Sequence, residues 1–476
     1  MKRNHLGTTM LLVTGLFLGA CSTPAVITKK ADITLPATYP GSADTGATVL
    51  HSWKNFFTDT NLINLVNKGL TYNQDLQAAL QRLQSAQAEV LLQKGLLLPT
   101  AGASVAGSLK KFGLYTMDGA GNIVTEITPG KLIPINLPDY FMGIQTSWEI
   151  DVWGKLKNRK KAAVARYMAS VEGKNLLTTQ IVSAIAASYY ELLAIDHTIK
   201  IIDETILLQE KAYELVKAQK EFAASNELAV KQFESRLLNL RGFRVDLQQQ
   251  TRQVENALHI LTGTLPGEIK REQQFFEARF PGMISTGVPA ALLQNRPDIR
   301  QAEWNVLATN AELQAARAAF YPSVAINGSF GFQAFKPDLL LRTPESMAYG
   351  LLGGLTAPLI NRTALKANFQ KANAGQLEAY YQYQKTILTG YVEVYNEMLR
   401  VKNLEQVFEL KNKEVASLSQ SIDIAELLFK AGRATYLEVL LTQQNALQAK
   451  LELVETKKKQ FQTTVNLYKT LGGGWQ

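Results

Sequence analysis

The sequence contains one cysteine and four histidines among its 476 residues, and both shortages restrict its chemistry. The cysteine is Cys21, so neither an internal disulfide nor a thiolate metal cage can form. No two histidines have the spacing of zinc ligands, and there is no Gly-rich phosphate loop, nucleophile elbow or HExxH motif. Because no acid/base pair or metal cluster stands out either, the sequence predicts no enzyme, no catalytic residue, no metal site and no cofactor.

The chain also lacks a concentrated block of charge, although Lys and Arg exceed Asp and Glu by 50 to 41. The basic residues are scattered along helical stretches, which predicts solvated helix surfaces and no nucleic-acid partner. Hydrophobic residues make up 46% of the chain and charged residues 19%, so most of its length is expected to fold.

Residues 1–20 have the pattern of an export signal. Lys2 and Arg3 precede an apolar run at residues 10–20 that is too short to span a bilayer. The run ends in Leu18-Gly19-Ala20-Cys21, which resembles the lipobox of a bacterial lipoprotein signal. We therefore expect cleavage before Cys21, a lipid on its thiol, and a Pro/Gly/Thr-rich linker that continues to residue 52.

Similar sequence motifs occur twice in the rest of the chain. Ile185-x3-Tyr189-x-Glu191 returns as Ile387-x3-Tyr391-x-Glu393, and a proline opens an extended run at both Pro99 and Pro322. This pattern predicts a tandem duplication, with a first structural repeat at residues 53–284 and a second at residues 285–476.

Each repeat contains a long stretch without proline, at residues 155–221 and 362–430. Each stretch predicts a helix of roughly 100 Å, followed by a second helix that ends near residue 265 or 470. We expect the turns at residues 223–227 and 431–435. Apolar residues at coiled-coil spacing predict that the helices pack side by side along a single apolar stripe. A single stripe favours a thin wall of paired helices over a globular core. The stripe positions are 181, 185, 192, 195, 199, 202, 206, 213 and 216, then 437, 440, 447, 451, 454, 461, 465 and 468.

Four extended stretches are expected at residues 100–110, 140–153, 322–335 and 346–360. From Tyr140 to Val152, apolar and aromatic residues alternate with smaller or polar ones, as in transmembrane β-barrels, although a soluble sandwich would give similar strands. Four strands cannot close a barrel, and lipid does not tolerate open strand edges. If the strands span a membrane, two chains give a filled eight-stranded barrel, and three give twelve strands with room for a pore. The predicted fold is mainly α with membrane β.

Several motifs together resemble the TolC-like outer membrane efflux factor family, most closely its acylated branch. They are Trp53-x2-Phe56-x2-Asp59-x2-Leu62, Trp148-Glu149-Ile150-Asp151-Val152-Trp153-Gly154, Arg296-Pro297-Asp298-Ile299-Arg300-Gln301-Ala302-Glu303, and Leu467 to Trp475 with its Gly-Gly-Gly-Trp ending. The resemblance implies a homotrimer with a twelve-stranded barrel in the outer membrane and a helical tunnel that extends into the periplasm. It also implies an exit duct for drugs or other small toxic solutes, which works with a periplasmic adaptor and an inner-membrane resistance-nodulation-division transporter.

The same resemblance suggests where function concentrates. Four residues match the family's periplasmic gate: Phe429, Gly432, Arg433 and Glu438. Five more fall at the helix-turn tips that meet the adaptor: Ala224, Ser225, Asn226, Ala431 and Thr435. The family's second gate carboxylate is replaced by Leu441. Arg296-Pro297-Asp298 has the pattern of a helix start, and residues 472–474 that of a helix stop.

Two alternatives remain open at this point. One keeps the fold but assigns it to protein secretion with an ABC transporter, which the lipobox and the Gly-Gly-Gly-Trp ending disfavour. The other is a structural lipoprotein whose coiled coil spans the periplasm without a channel, which the two-faced strands disfavour. The sequence does not identify the cargo, because it gives no reason to prefer a metal ion over an organic solute.

Overall fold

The computed structural model describes residues 34–40, 52–222, 225–271, 275–276, 287–358, 360 and 362–475. The predicted signal peptide and Cys21 lie outside the described residues. The helices are α1 (Trp53–Phe56), α2 (Thr60–Tyr72), α3 (Gln74–Gly95), α4 (Met117–Val124), α5 (Lys155–Glu221), α6 (Glu227–Thr262), α7 (Leu292–Asn295), α8 (Pro297–Ala318), α9 (Thr363–Lys430) and α10 (Tyr436–Thr470). The strands are β1 (Thr100–Lys111), β2 (Glu126–Thr128), β3 (Lys131–Leu132), β4 (Asn136–Ile150), β5 (Ser323–Ala334) and β6 (Met347–Thr356).

The four long strands form one antiparallel sheet in the order β1-β4-β5-β6. This confirms the four predicted strand regions, with three differences in their bounds. β4 starts at Asn136, before the alternating pattern becomes clear at Tyr140, and it ends at Ile150, three residues early. β6 ends at Thr356, before the predicted residue 360. The connection between β1 and β4 was not predicted to have structure of its own, yet it holds α4 and a separate hairpin of β2 and β3.

The long helices have nearly the predicted bounds. α5 begins after Gly154, whose positive φ of 75° ends the preceding extended segment. The Asp151 carboxylate then accepts hydrogen bonds from the N–H groups of Leu156 (2.9 Å) and Lys157 (2.8 Å) and thereby caps the helix. Across the described residues, no helix is both long enough and apolar enough to cross a membrane.

The chain divides into two compact units that do not follow the predicted repeats. The described part of the first unit consists of Ser85–Tyr167 and Trp304–Tyr380, and the second takes segments from Ala31–Gln84, Met168–Glu303 and Tyr381–Gln476. A helix, two long strands and two further helices do follow one another twice along the chain. The division into repeats at residue 284 remains a prediction.

The second unit contains a large hydrophobic core that the single-stripe prediction missed. Between Ile181 and Ile206, α5 is buried on several sides, not along one stripe alone. Tyr190 stacks on Phe461 of α10 with ring centroids 4.3 Å apart. Tyr189 donates a hydrogen bond of 2.5 Å to the Asp59 carboxylate, which also caps α2. The expected thin wall is therefore wrong for this stretch of the helix.

Most of the predicted stripe residues are buried or half-buried, but Leu437 is an exception. Its side chain is 50% exposed, whereas the neighbouring Val439 is buried. The apolar period continues correctly from Leu447 to Tyr468. At the start of α10 the buried side of the helix is therefore shifted from the predicted one.

A second, smaller core in the same unit surrounds a buried cation, Arg296. Its guanidinium donates to Asp298 (3.0 and 2.7 Å), forms an ion pair with Glu393 (2.8 Å), and donates to the Thr470 carbonyl (3.0 Å). Burial disfavours the charged guanidinium, but the hydrogen bonds and charges of Asp298 and Glu393 outweigh burial and raise the pKa of Arg296. Tyr39 lies in the same core, where its ring stacks on Tyr391 at 5.3 Å.

The C-terminal residues fold back onto this site. Gly472 has a φ of +95°, and a Cβ there would lie 2.4 Å from the Asn295 carbonyl oxygen, so only glycine fits. The Trp475 indole N–H donates to the same carbonyl at 3.3 Å. The predicted helix start at Arg296 and the predicted helix stop after Thr470 are both confirmed, and together they form one site.

Replacing Arg296 tests how strongly this cation stabilises the second unit. Arg296→Ala leaves two carboxylates without their partner, so we expect it to reduce the free energy of unfolding by about 3 kcal/mol. Denaturant titration of the purified protein, with reversibility checked by dilution, reports the change in free energy. Arg241→Ala is the matched control, because it removes an exposed ion pair with Glu210 (2.7 Å) that is worth less than about 1 kcal/mol. Equal losses in the two variants would contradict the prediction.

Candidate functional site

The turn between α9 and α10 has the geometry of a helix stop followed at once by a helix start. The Arg433 N–H donates to the Leu428 carbonyl (2.8 Å) and the Gly432 N–H to the Phe429 carbonyl (3.0 Å). Gly432 has a φ of +70°, as expected for the residue that ends a helix in this way, and no atom lies near the position of a Cβ. Four predicted site residues therefore lie together in this turn: Phe429, Ala431, Gly432 and Arg433.

Glu438 closes a capping box at the start of α10. Its carboxylate accepts hydrogen bonds from the N–H (2.6 Å) and hydroxyl (2.9 Å) of Thr435, whose hydroxyl in turn accepts from the Glu438 N–H. These hydrogen bonds lower the pKa of Glu438. The carboxylate is exposed, so the structure gives Glu438 a role in the turn and leaves its charge accessible to solvent.

The turn between α5 and α6 is built differently. Asn226 caps α6 by accepting a hydrogen bond from the Ala229 N–H (2.9 Å), and Lys220 forms an ion pair with Glu227 across the turn. Ser225 is half-buried, and the predicted contact residue Ala224 lies outside the described residues.

A small apolar cluster joins the two turns. The side chains of Val216, Ala229, Val230 and Phe233 are buried together, and Tyr436 and Leu440 of α10 pack against them. Tyr436, the first residue of α10, therefore packs against side chains of α5 and α6. Sequence reasoning placed position 440 in the apolar stripe but missed Tyr436 as a contact between the turns.

Exposed apolar side chains surround both turns. Phe222 is 84% exposed, and Leu228, Leu427, Leu437 and Leu441 are each at least half exposed. Exposed leucines are common singly, but five large apolar residues near two adjacent turns form a surface that fits protein contacts.

The sheet in the first unit is the other candidate site, because its two faces differ in chemistry. Strand register places Ala103, Ile144, Phe330 and Tyr349 side by side on one face. The same face also carries Val105, Met142, Phe332 and Met347. The opposite face carries Thr100, Ser147 and Asn327 in one row and Gly102, Gln145 and Ser329 in the next.

The apolar face is exposed and bounded by aromatic residues. Tyr349 is 85% exposed and Leu351 83%, and they belong to a contiguous exposed apolar surface, which is the kind of surface that marks a contact with protein or membrane. Tyr140 lies toward one end of this face, and Trp148 toward the other, where its indole N–H donates to the Leu97 carbonyl (3.1 Å). Beyond Trp148, Trp153 stacks on Tyr321 at 4.9 Å.

An open concavity of about 500 Å³ lies against the middle of the sheet and is lined mainly by hydroxyl, amide and glycine residues, together with Leu351 and Leu352. Among the described residues no group of three or more His, Cys, Asp or Glu could hold a metal ion.

Comparison with known proteins gives these features a context. Residues 65–264 and 288–473 match the family model described as outer membrane efflux protein. The pyoverdine export outer membrane protein OpmQ of Pseudomonas aeruginosa is 28% identical over 463 residues, which cover 97% of this chain and 95% of that protein. The cation efflux system protein CusC of Escherichia coli is 26% identical over 425 residues, which cover 89% of this chain and 88% of that protein. Neither description is that of an enzyme or of a protein-secretion component.

Solved structures agree on the fold. The open state of the MtrE outer membrane channel of Neisseria gonorrhoeae superposes with a TM-score of 0.79 at 21% identity, covering 96% of this chain and 98% of that one. The family match spans both halves of the chain, including α5, α6, α9, α10 and the sheet. The chain therefore belongs to the outer membrane efflux protein family, as its sequence motifs predicted.

Proposed function

We propose that this protein is the outer membrane exit duct of a tripartite efflux system, in which three copies form the channel. It passes drugs or other small toxic solutes that a periplasmic adaptor and an inner-membrane transporter of the resistance-nodulation-division class deliver. The observation that carries the proposal is a sheet with one exposed apolar face and one polar face, in a chain of this family.

The edges of the sheet support a shared barrel. Within the described residues, β1 and β6 each pair with one long strand only, so each has an edge of unpaired N–H and C=O groups. Such edges are not tolerated in lipid, and pairing β6 of one copy with β1 of the next satisfies both. Three copies supply twelve strands, which enclose a lumen wider than side chains can fill.

The dimensions of the apolar face fit a bilayer. Tyr140 and Trp148 are eight residues apart on β4, which corresponds to about 26 Å of strand. Strands in transmembrane barrels tilt by about 35–45°, so this stretch spans about 20 Å of the roughly 25 Å apolar band between two aromatic girdles. The apolar face therefore meets lipid, and the polar face lines the lumen.

The lumen surface supports transport with little selectivity. Of its two carboxylates, Asp139 lies near one end of the strands and Glu149, paired with Lys155, near the other. The rows between them carry hydroxyl, amide, glycine and apolar groups. Without a ring of charge in these rows, the barrel does not select by charge, and the inner-membrane transporter chooses the cargo. The names of the relatives, pyoverdine export and cation efflux, also span different solutes.

The lipid on Cys21 is part of the proposal. Cys21 precedes the buried Tyr39 by 18 residues (39 − 21), a span of at most about 65 Å when fully extended. Because Tyr39 is held in the Arg296 core, the lipid would lie within that distance of the core.

The helical turns form the gate and the adaptor contact in this proposal. Phe429, Gly432, Arg433 and Glu438 belong to the gate, and the exposed apolar residues around both turns meet other chains. The contact residues proposed on the two tips are Ala224, Ser225, Asn226, Ala431 and Thr435. Adaptor binding favours an open arrangement of the turns, so the gate opens by a shift in population.

Deletion of the gene tests the function as a whole. The deletion strain should become sensitive to at least one class among antibiotics, dyes, solvents, copper and silver, and the intact gene should restore tolerance. Purified protein should give ion conductance in planar bilayers and run as a trimer. Unchanged tolerance to every class, together with no conductance, would overturn the proposal.

Charge on the apolar face tests the membrane placement of the sheet. Leu351→Asp places a carboxylate in lipid and should reduce assembled trimer in outer membrane fractions at least about tenfold, since a charge in hydrocarbon costs several kcal/mol. Ser329→Asp adds the same charge on the polar face and should assemble normally. Normal assembly of Leu351→Asp would show that this face does not meet lipid.

Two substitutions of Glu438 separate its role as a helix cap from its role as a negative charge. Glutamine also closes a capping box, so Glu438→Gln should keep the turn intact while the cation preference of the channel falls. Glu438→Ala should lower the cation preference and also speed hydrogen exchange in the first turn of α10. Both effects are measured, by reversal potential and by hydrogen exchange, with Glu405→Gln as an exposed control far from the turn.

The pH dependence of the wild type provides a second measurement. Because hydrogen bonds from Thr435 lower the pKa of Glu438, its charge is lost at a lower pH than that of an ordinary glutamate. Wild-type selectivity should therefore approach that of Glu438→Gln as the pH falls through this lowered pKa. An unchanged cation preference in Glu438→Gln at neutral pH would remove Glu438 from the gate.

A further inference from the structure

A run of basic residues follows the sheet directly and is only partly neutralised. Residues 155–166 contain six Lys or Arg and no Asp or Glu. Lys155 forms an ion pair with Glu149, and Arg166 with Glu312. Within the part of the chain that the structure describes, no carboxylate lies within ion-pair distance of Lys157, Lys160 or Lys161. We refer to these three lysines as the lysine face.

The lysine face is a single surface of α5. Positions 157, 160 and 161 lie within one helical turn on one side, and Lys157 and Lys161 are exposed. Like charges four residues apart repel each other, so an anion between them would stabilise this segment. The helix N-terminus is not the anion site, because Asp151 already accepts from the Leu156 and Lys157 N–H groups.

The position of these lysines along the chain matches the depth of lipid headgroups. α5 begins five residues after the end of β4 (155 − 150), and Lys157 to Lys161 lie about 3–9 Å along it. The headgroup layer adds about 5–8 Å on each side of the hydrocarbon core. Trp153, exposed and stacked on Tyr321, lies between the sheet and the lysines, and tryptophan is enriched at this depth of a membrane.

We propose that the lysine face binds the phosphate headgroup of an anionic phospholipid in the leaflet that α5 faces as it leaves the membrane. The lysine ammonium groups supply the charge, and Trp153 contacts the lipid where headgroup and acyl chains meet. The site rests on the proposed function, because it requires the apolar face of the sheet to lie in lipid. It gives the duct a preference for lipid composition at its periplasmic rim.

Native mass spectrometry of the full-length trimer in detergent tests this preference. The probes are phosphatidylglycerol and phosphatidylcholine with identical acyl chains, added in equal amounts. The wild type should retain more phosphatidylglycerol. The triple variant Lys157→Gln, Lys160→Gln, Lys161→Gln should lose this selectivity, by up to roughly fivefold for each lysine removed. Raising the salt to about 0.5 M should weaken the wild-type preference, because exposed charges are screened.

Two matched variants separate the site from total charge. Lys211→Gln, Lys217→Gln, Lys413→Gln removes three exposed lysines from the long helices and should leave the preference unchanged. Replacing the lysine face by three arginines keeps the charge and should also preserve it. Equal loss in the Lys211/Lys217/Lys413 variant, or no loss in the lysine-face variant, would overturn the proposal.

Reconstitution distinguishes failure of the site from failure of the proposed function. A wild-type trimer that inserts into phosphatidylcholine vesicles and conducts ions, but shows no lipid preference, refutes the lipid site alone. A lysine-face variant with altered cation-to-anion permeability and unchanged lipid preference places the lysines in the lumen and also refutes it. Protein that neither floats with vesicles nor conducts would overturn the membrane placement and the lipid site together.

Discussion

The constraint on which the architecture depends is that backbone N–H and C=O groups need partners wherever water is absent. β1 and β6 each leave one edge of the described sheet unpaired, so one chain cannot place this sheet in lipid alone. The links from strand to helix are short: α5 starts five residues after β4 (155 − 150), and α9 starts seven after β6 (363 − 356). These short links join each of the two strands β4 and β6 to one long helix.

Stability is unevenly distributed within the second unit. Its main core combines α1, α2, α5, α6 and α10 around large aromatic residues. Arg296, just before α8, donates a hydrogen bond to the Thr470 carbonyl at the end of α10 and so links the two helices. The turns, in contrast, are joined by a small cluster centred on Phe233, and their other stabilising groups are exposed caps and ion pairs. Segments with few buried apolar contacts open at low free-energy cost. The second unit therefore combines a tightly packed middle with turns that can rearrange at a lower free-energy cost.

The long elements could be predicted because their signals are local. The absence of proline from residues 155–221 and 362–430 gave helices whose bounds the structure confirms. The start of β4 was missed because Pro138 and Asp139 interrupt the alternation, although Pro138 pairs in register with Leu109. The broad burial of α5 could not be read from heptads, since it depends on residues such as Phe275 and Phe461 that are distant in sequence. The Glu438 cap could have been found, because Thr435-x-x-Glu438 has the capping-box pattern.

The contact of Arg296 with the Thr470 carbonyl joins two parts of the chain that are distant in sequence. The residues that complete the surroundings of this buried cation are Thr470 to Trp475; Thr470 follows Arg296 by 174 residues, and Trp475 follows Asn295 by 180. A polypeptide shortened by a premature stop lacks them, so its guanidinium loses a carbonyl partner and Asn295 loses the glycine that fits against it. Two segments that are far apart along the chain must therefore meet before the surroundings of Arg296 are complete.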